Sequence, residues 1–371
     1  MGNSSNGMGS VRAPILTYYT PDAWIDGHAE QQLQHVATWQ GMRQVAAFPD
    51  LHPGRHGPVG AAFLSDRLHP QLVGSDIGCG MAIFALDLPA HKLKLARAAR
   101  RLERLEGPDD DATNALQAAD LPTHLAPGLG TIGGGNHFCE LQTVSGTTGT
   151  SNPLPNGSLC LMVHSGSRAL GQAIWMRHVD RLAENGLGPG DPAARAYLAA
   201  HDQAVRFAAL NRARIAARAA QALGCDLRLV TDVPHNLVVP HQGAWLHRKG
   251  AAAADHPTVP LAGSRDSHSY LLQPLGINPL QSLAHGAGRR HDRASMHHRI
   301  PKSPDALRAM ERNRYGGMIL CQDRAMLIEE APKAYKDAAR VVADLQHFGL
   351  AAPIATLTPL LTYKLTKRGQ S

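Results

Sequence analysis

Apolar positions recur at helical spacing over residues 27–41 (GHAEQQLQHVATWQG), and Gly41 supplies a stop, so the pattern predicts a helix there. Residues 43–47 read as a short strand running into a turn-rich segment, 48–60. The stretch 72–88 (LVGSDIGCGMAIFALDL) reads as strand, glycine loop, strand, and 90–106 as a basic amphipathic helix. Between 131 and 172, glycine loops alternate with the strand-like run LCLMVHS. The longest helix is expected over 192–223, opening behind Asp191-Pro192 and stopping at Gly224. Strands are expected at 227–233 and 236–239, followed by a loop-rich stretch to 290. Helices follow at 305–312, 323–330 and 335–346, and the tail PIATLTPLLTYK reads as extended.

Helices and strands interleave without βαβ regularity, which predicts a mixed α/β domain whose glycine loops converge on a site. The expected organisation is one domain over 1–371, with a loose Gly/Ser-rich terminus at 1–10 and surface loops at 145–158 and 251–260. No run of about 18 apolar residues is present, so no membrane span is expected. The five cysteines are odd in number and follow no framework spacing, which points to a reducing cytoplasm. The formal charge of +7 favours a polyanionic partner, nucleic acid or phosphate.

Histidine is abundant, with 21 copies, and several lie in glycine loops: SDIGCGM (75–81), GGGNHFCEL (133–141), VHSGSRALG (163–171) and VPHNLV (233–238). Asp76 and Cys79 flank Gly78 and can point into one cavity, where thiolate plus carboxylate suits a borderline divalent ion. Cys79 equally fits a small buried hydrophobe. With His137, His164 and His235 these two make five candidate ligands, enough for two ions sharing the cysteine; the spacing is not that of a zinc finger. In AHGAGRR (284–290), backbone amides and arginines can cradle phosphate, and His285 can either attack phosphorus or only donate a hydrogen bond. HRKG (247–250) reads as a basic loop. Arg206, Arg212, Arg214 and Arg218 form either an RNA-contacting stripe or a solvated helix face.

These segments, with PDLHPGRHGPVGAAF, GTIGGGNHFCEL, HRKGA, SLAHGAGR and EEAPKAYKD in order, resemble the RtcB family of RNA ligases over nearly the whole chain. The chain's length is similar to that of the compact subgroup linked to a peptide-release-factor homologue. The resemblance implies an enzyme that joins RNA 3′-phosphate or 2′,3′-cyclic phosphate ends to 5′-hydroxyl ends, using GTP and two Mn²⁺ ions. It implies GMP carried on His285 and metal held by Asp76, Cys79, His137, His164 and His235. The implied nucleotide contacts are Asn136, Phe138, Glu140, Asn236, Ser264, Ser269, Gly286, Gly288, Tyr335 and Lys364. Phosphate or RNA contacts fall on Arg168, Arg248, Lys249 and Arg289. Implied partners are RNA, a release-factor-like protein and the ribosome, in the cytoplasm, with the family's α+β architecture around a deep cleft. One departure is GSRDSHSYL (263–271), where Arg265, Asp266 and His268 bring charge beside the expected triphosphate. His291, His297 and His298 carry no assigned role. The competing readings are a dinuclear-metal phosphoesterase acting on RNA ends, a tRNA splicing or repair ligase, and a non-catalytic RNA-binding subunit.

Overall fold

The computed structural model describes residues 12–105, 107–148, 152–178, 184–276, 279–300 and 303–364; the terminus expected over 1–10 lies outside them. In chain order the strands are β1 (Ile15–Thr17), β2 (Met42–His52), β3 (Val59–Ser65), β4 (Gly80–Leu86), β5 (Phe138–Thr147), β6 (Leu159–Ser165), β7 (Leu227–Pro234) and β8 (Asn236–His241). They continue with β9 (Ala244–Lys249), β10 (Ala251–Ala253), β11 (Val259–Leu261), β12 (Ser269–Pro274), β13 (Ser282–Ala284), β14 (Met318–Leu320) and β15 (Ala351–Tyr363). One five-stranded sheet runs β1-β2-β3-β9-β8. A second, eight-stranded sheet runs β11-β12-β15-β5-β6-β4-β7, with β14 beside β15, while β10 and β13 pair separately.

The central strands of the larger sheet alternate with period two between cores on its two faces. Ala82, Phe84, Leu161 and Val163 pack with Ile215 and Ala219 of the helix Pro192–Leu223. Met81, Ile83, Cys160 and Met162 pack on the other face with Ala262, Leu271 and Leu357. Both faces are covered, so these segments read as continuous apolar runs. The helix occupies the expected residues because its ends are specified chemically: Asp191 accepts from the Ala193 N–H at 2.8 Å, Pro192 opens the first turn, and Gly224 ends it at φ 76°.

Several expectations are corrected. Residues 72–73 close a short 3-10 turn, Pro70–Leu72, instead of a strand. The helix expected over 90–106 is confined to Leu95–Leu102, because Leu93 and Lys94 are extended. The stretch 242–290 carries five strands, and 251–253 are buried instead of forming a surface loop. Those strands are short and partly alanine-rich, so they lack the β-branched signature that marks a strand locally. HRKG is likewise not a loop: His247, Arg248 and Lys249 end β9 and are buried.

Apart from exposed Arg206, the arginines of the stripe are engaged within the protein. Arg212 is fully buried on Asp232. Arg214 pairs with Asp109 and Asp111, and Arg218 donates to the carbonyls of Gly130 and Gly107. Among the described residues no helix is long and apolar enough to cross a membrane.

Candidate active site

Register gathers the candidate residues. Gly80 of β4 lies opposite Ser165 of β6 and Pro234 of β7; Phe138 of β5 lies opposite His164, and Cys139 opposite Tyr363 of β15. These pairs mark one end of the larger sheet. The loop 74–79, His137, His235 and Lys364 all follow or precede it by a residue or two. At His235 the chain passes from β7 of one sheet to β8 of the other, so residues of both sheets line the cleft beyond.

The loop 74–79 is held tightly. Gly78 sits at φ 72°, and a Cβ there would lie 2.8 Å from the Val205 Cα and 2.9 Å from the Ala208 Cβ, so the site admits only glycine. Its N–H donates to the Asn236 carbonyl at 2.7 Å, and the His235 N–H donates to the Cys79 carbonyl at 2.8 Å. Buried Arg212 donates to the carbonyls of Gly78 and Ser165 at 2.8 and 2.9 Å.

Two ligand groups result. Cys79, His164 and His235 form one, and Asp76, Cys79 and His137 the other, each with its ligand atoms within 4.8 Å of one another. The Cys79 Sγ stands 3.2 Å from His164 Nε2 and 3.3 Å from His137 Nε2, and His137 Nε2 stands 2.8 Å from Asp76 Oδ2. His164 Nδ1 lies 3.2 Å from the Asn136 carbonyl, which fixes the proton there and turns the Nε2 lone pair toward the thiol. Burial, then the neighbouring histidines, hold His164 and His235 well below the usual imidazole range, as neutral ligands must be. Burial opposes ionisation of Asp76, but His137 prevails and brings its carboxyl down to about 2. Burial and the Asp76 charge push the Cys79 thiol well up, so its thiolate is favoured only against a cation. This donor set would suit borderline divalent metal, with Cys79 common to both groups.

His285 follows β13. Its backbone N–H donates to Asp50 Oδ2 at 3.0 Å, and its Nδ1 lies 2.7 Å from the same oxygen. Asp50 is fully buried. Nδ1 faces the carboxylate closely without hydrogen-bond alignment, and the ring centroid is 4.5 Å from that of His235. Gly288, at φ 71°, closes the loop over Asp50, where a Cβ would meet the Asp50 carbonyl oxygen at 2.2 Å.

The cleft has a volume of about 480 Å³, within the range of small-molecule sites. One wall carries Asn136, Phe138, Glu140, Thr362 and Lys364. The Lys364 Nζ donates to the His137 carbonyl at 2.9 Å and lies 5.9 Å from the centre of the Phe138 ring. Glu140 accepts from Gln142 at 2.6 Å and from the Thr362 hydroxyl; burial raises its carboxyl to about 6. A second wall is a charged network: Arg289 and Arg293 donate to Glu330 at 3.1 and 3.2 Å, and the Tyr335 hydroxyl donates to its other oxygen. Burial works against ionised Glu330, yet Lys364 and the arginines bring it to about 2.

The structure therefore brings together Asp76, Cys79, His137, His164, His235 and His285. Asn136, Phe138, Glu140, Asn236, Ser264, Gly286, Gly288, Lys249, Arg289, Tyr335 and Lys364 line the same cleft. Ser269 stands behind it, its hydroxyl accepting from Gly263 N–H and Gln142. Arg168 lies against His137 Nδ1 at 3.4 Å. Arg248 is a correction: at 2% exposed, it donates to the Ser282 hydroxyl and the Gln281 carbonyl, away from the cleft and closed to RNA. Of the charges at 263–271, Arg265 alone lines the cleft; Asp266 pairs with Arg314, and the His268 ring lies tilted against Tyr315 at 4.8 Å. His297 pairs with Glu329 at 3.0 Å. Sequence reasoning missed Asp50 and Glu330, and it placed Arg212 only in a helix stripe. Asp50 lies within PDLHPGRHGPVGAAF, but nothing local announces a partner 235 residues away.

The profile of the family described as tRNA-splicing ligase RtcB matches residues 32–118 and 110–365. An Escherichia coli protein described as RNA-splicing ligase RtcB2 is 41% identical over 365 residues, covering 94% of this chain and 95% of the relative. The RNA-splicing ligase RtcB of Mycobacterium tuberculosis is 30% identical over 433 residues, 89% of this chain and 99% of its own length. That of Escherichia coli K12 is 27% identical over 399 residues, 89% and 93% of the two chains. With the matched segments spanning most of the chain and its fold and cleft as described, this protein belongs to the RtcB family of RNA ligases.

Proposed function

We propose that this protein joins RNA 3′-phosphate or 2′,3′-cyclic phosphate ends to 5′-hydroxyl ends, using GTP and two Mn²⁺ ions, with GMP carried on His285. The observation that carries this reading is the placement of His285: Asp50 at 2.7 Å behind Nδ1, and the ligand cluster beside the ring. The Nε2 lone pair attacks the α-phosphorus of GTP, a P–N bond forms, and pyrophosphate leaves. Asp50 stabilises the positive charge that develops on the ring. The ions, held by Asp76, Cys79 and His137 and by Cys79, His164 and His235, would supply charge neutralisation for phosphate oxygens. A 3′-phosphate has no leaving group for attack by a hydroxyl. Transfer of GMP from His285 to that phosphate supplies one, and GMP departs when the 5′-hydroxyl attacks. A cyclic phosphate is first opened by water. In guanine selection, Lys364 donates to O6, where adenine presents a donor, and Glu140 accepts from the base N–H groups.

The experiment is incubation with labelled GTP and Mn²⁺. A ligase acquires an acid-labile covalent label that His285→Ala abolishes with bound metal retained; a phosphoesterase acquires none. Labelling of His285→Ala at the wild-type level would overturn the assignment.

The same reading takes cleaved ribosomal RNA, repaired in the cytoplasm with a release-factor-like partner, as the natural substrate. Its support is the resemblance to the compact subgroup and the chain's positive charge. Nicked tRNA and ribosomes cut in the small-subunit RNA, carrying identical ends, are each offered with and without the partner. Sealing of the tRNA alone under every condition would refute the substrate and leave the ligase standing.

A further inference from the structure

We propose that a second cavity beside the cleft holds a nucleotide of the RNA strand, whose phosphate is gripped by Arg55 at the divide. The inference rests on the ligase reading only for the polymer being RNA. The cavity measures about 420 Å³ and shares Arg55 and His56 with the cleft, so the two spaces adjoin across one short loop. Its walls bring Trp39, His35, Gln71 and Glu184 around that divide.

Three features suit a nucleotide. First, the Trp39 indole lines the cavity with the His35 ring edge-on to it at 6.0 Å, an aromatic wall against which a base can pack. Second, the His56 ring lies 5.0 Å from the Trp175 ring on the cleft side, an aromatic pair over which a strand can stack. Third, Arg55 is exposed at the divide, and no carboxylate pairs with it among the described residues. Glu184, the acid on this cavity's wall, is paired with His35 at 3.0 Å. A guanidinium with no carboxylate beside it suits a backbone phosphate, which it can hold bidentately.

The loop carrying Arg55 is fixed in advance. Gln32 clamps Gly54 from both sides, its Nε2 donating to the Gly54 carbonyl at 2.7 Å and its Oε1 accepting the Gly54 N–H at 3.1 Å. A Cβ on Gly54 would meet the Gly57 carbonyl oxygen at 2.3 Å, so this tight turn takes only glycine there. A strand ending at His285 and leaving on this side carries a phosphate past Arg55 and its next base toward Trp39. Phosphate contacts position a strand without reading sequence, and the stack tolerates any base.

The test uses the full chain and single-stranded RNA carrying 4-thiouridine at successive positions from a 3′-phosphate or a 5′-hydroxyl end. Irradiation is followed by peptide mapping, and binding is measured against salt. The expected cross-link falls within residues 28–41, from one or a few positions near the end of one strand, which identifies the strand. Arg55→Ala, folded by its melting temperature, should bind that strand about tenfold more weakly. It should also flatten the slope of log K against log salt by about 0.7, the share of one single-strand phosphate, which Arg55→Lys should restore. Cross-links confined to other segments, or an Arg55→Ala variant with wild-type affinity and slope, overturn the proposal. Binding and cross-linking need no turnover, so absence of GTP labelling would count against the ligase reading alone.

Discussion

Replacing Asp50 by asparagine tests the mechanism at its most specific point. The carboxylate is fully buried and its Oδ2 is 2.7 Å from His285 Nδ1. When Nε2 attacks phosphorus, the imidazole gains positive charge in the transition state. At an effective dielectric of about 20, unit charges at that distance attract by about 6 kcal/mol, so a half-developed charge is stabilised by about 3 kcal/mol. Asparagine keeps the shape and removes that attraction, which corresponds to a rate loss of about two orders of magnitude. The loss is larger where the amide N–H faces Nδ1, because the proton then moves to Nε2 and the nucleophile is masked. The assay is the single-turnover rate of GMP labelling at saturating GTP, with bound metal and melting temperature measured on the same protein. Stability should hold or rise, since Asp50 Oδ1 is buried with no partner among the described residues and a neutral side chain costs less there. Labelling within threefold of wild type would refute the role of Asp50. A collapse of stability or loss of metal would show instead that Asp50 is structural.

Cys79→Ala should lose bound divalent metal from both ligand groups and all metal-dependent labelling, whereas Cys139→Ala, in the core of the larger sheet, should keep its metal; equal metal content in the two variants would sink the bridging thiolate. Excess Zn²⁺ should compete with Mn²⁺ for a thiolate-containing site and suppress labelling, and insensitivity to Zn²⁺ would contradict that donor set. Lys364→Ala should raise the KM for GTP and narrow its advantage over ATP; unchanged discrimination would assign the lysine to holding the His137 carbonyl alone. Arg212→Ala strands Asp232 and frees the Gly78 and Ser165 carbonyls, so urea unfolding should report a loss of about 3–5 kcal/mol, and a change under 1 kcal/mol would show that the buried arginine does not pin the loop.

The sequence by itself determined those features whose cause is local. Asp191-Pro192 and Gly224 specify the ends of the long helix through capping and backbone geometry, and the helix forms where they place it. Gly78 between Asp76 and Cys79, and the glycines around His137 and His285, announce backbone bent around a ligand, and the order of those motifs identifies the family. Tertiary structure decided what depends on residues distant in the chain. Lys249 and Arg248 are neighbours in one basic tetrapeptide, yet strand alternation turns Lys249 toward the cleft and Arg248 into Ser282 and Gln281. Arg212 looks like a solvated cation on a helix until the sheet packed against it supplies Asp232 and two carbonyls. Asp50 and His285 meet only because β2 and the segment after β13 end side by side, 235 residues apart in sequence. Charge and polarity along the chain state what a side chain can do; only packing sets the partner and the solvent access that decide which of those things it does.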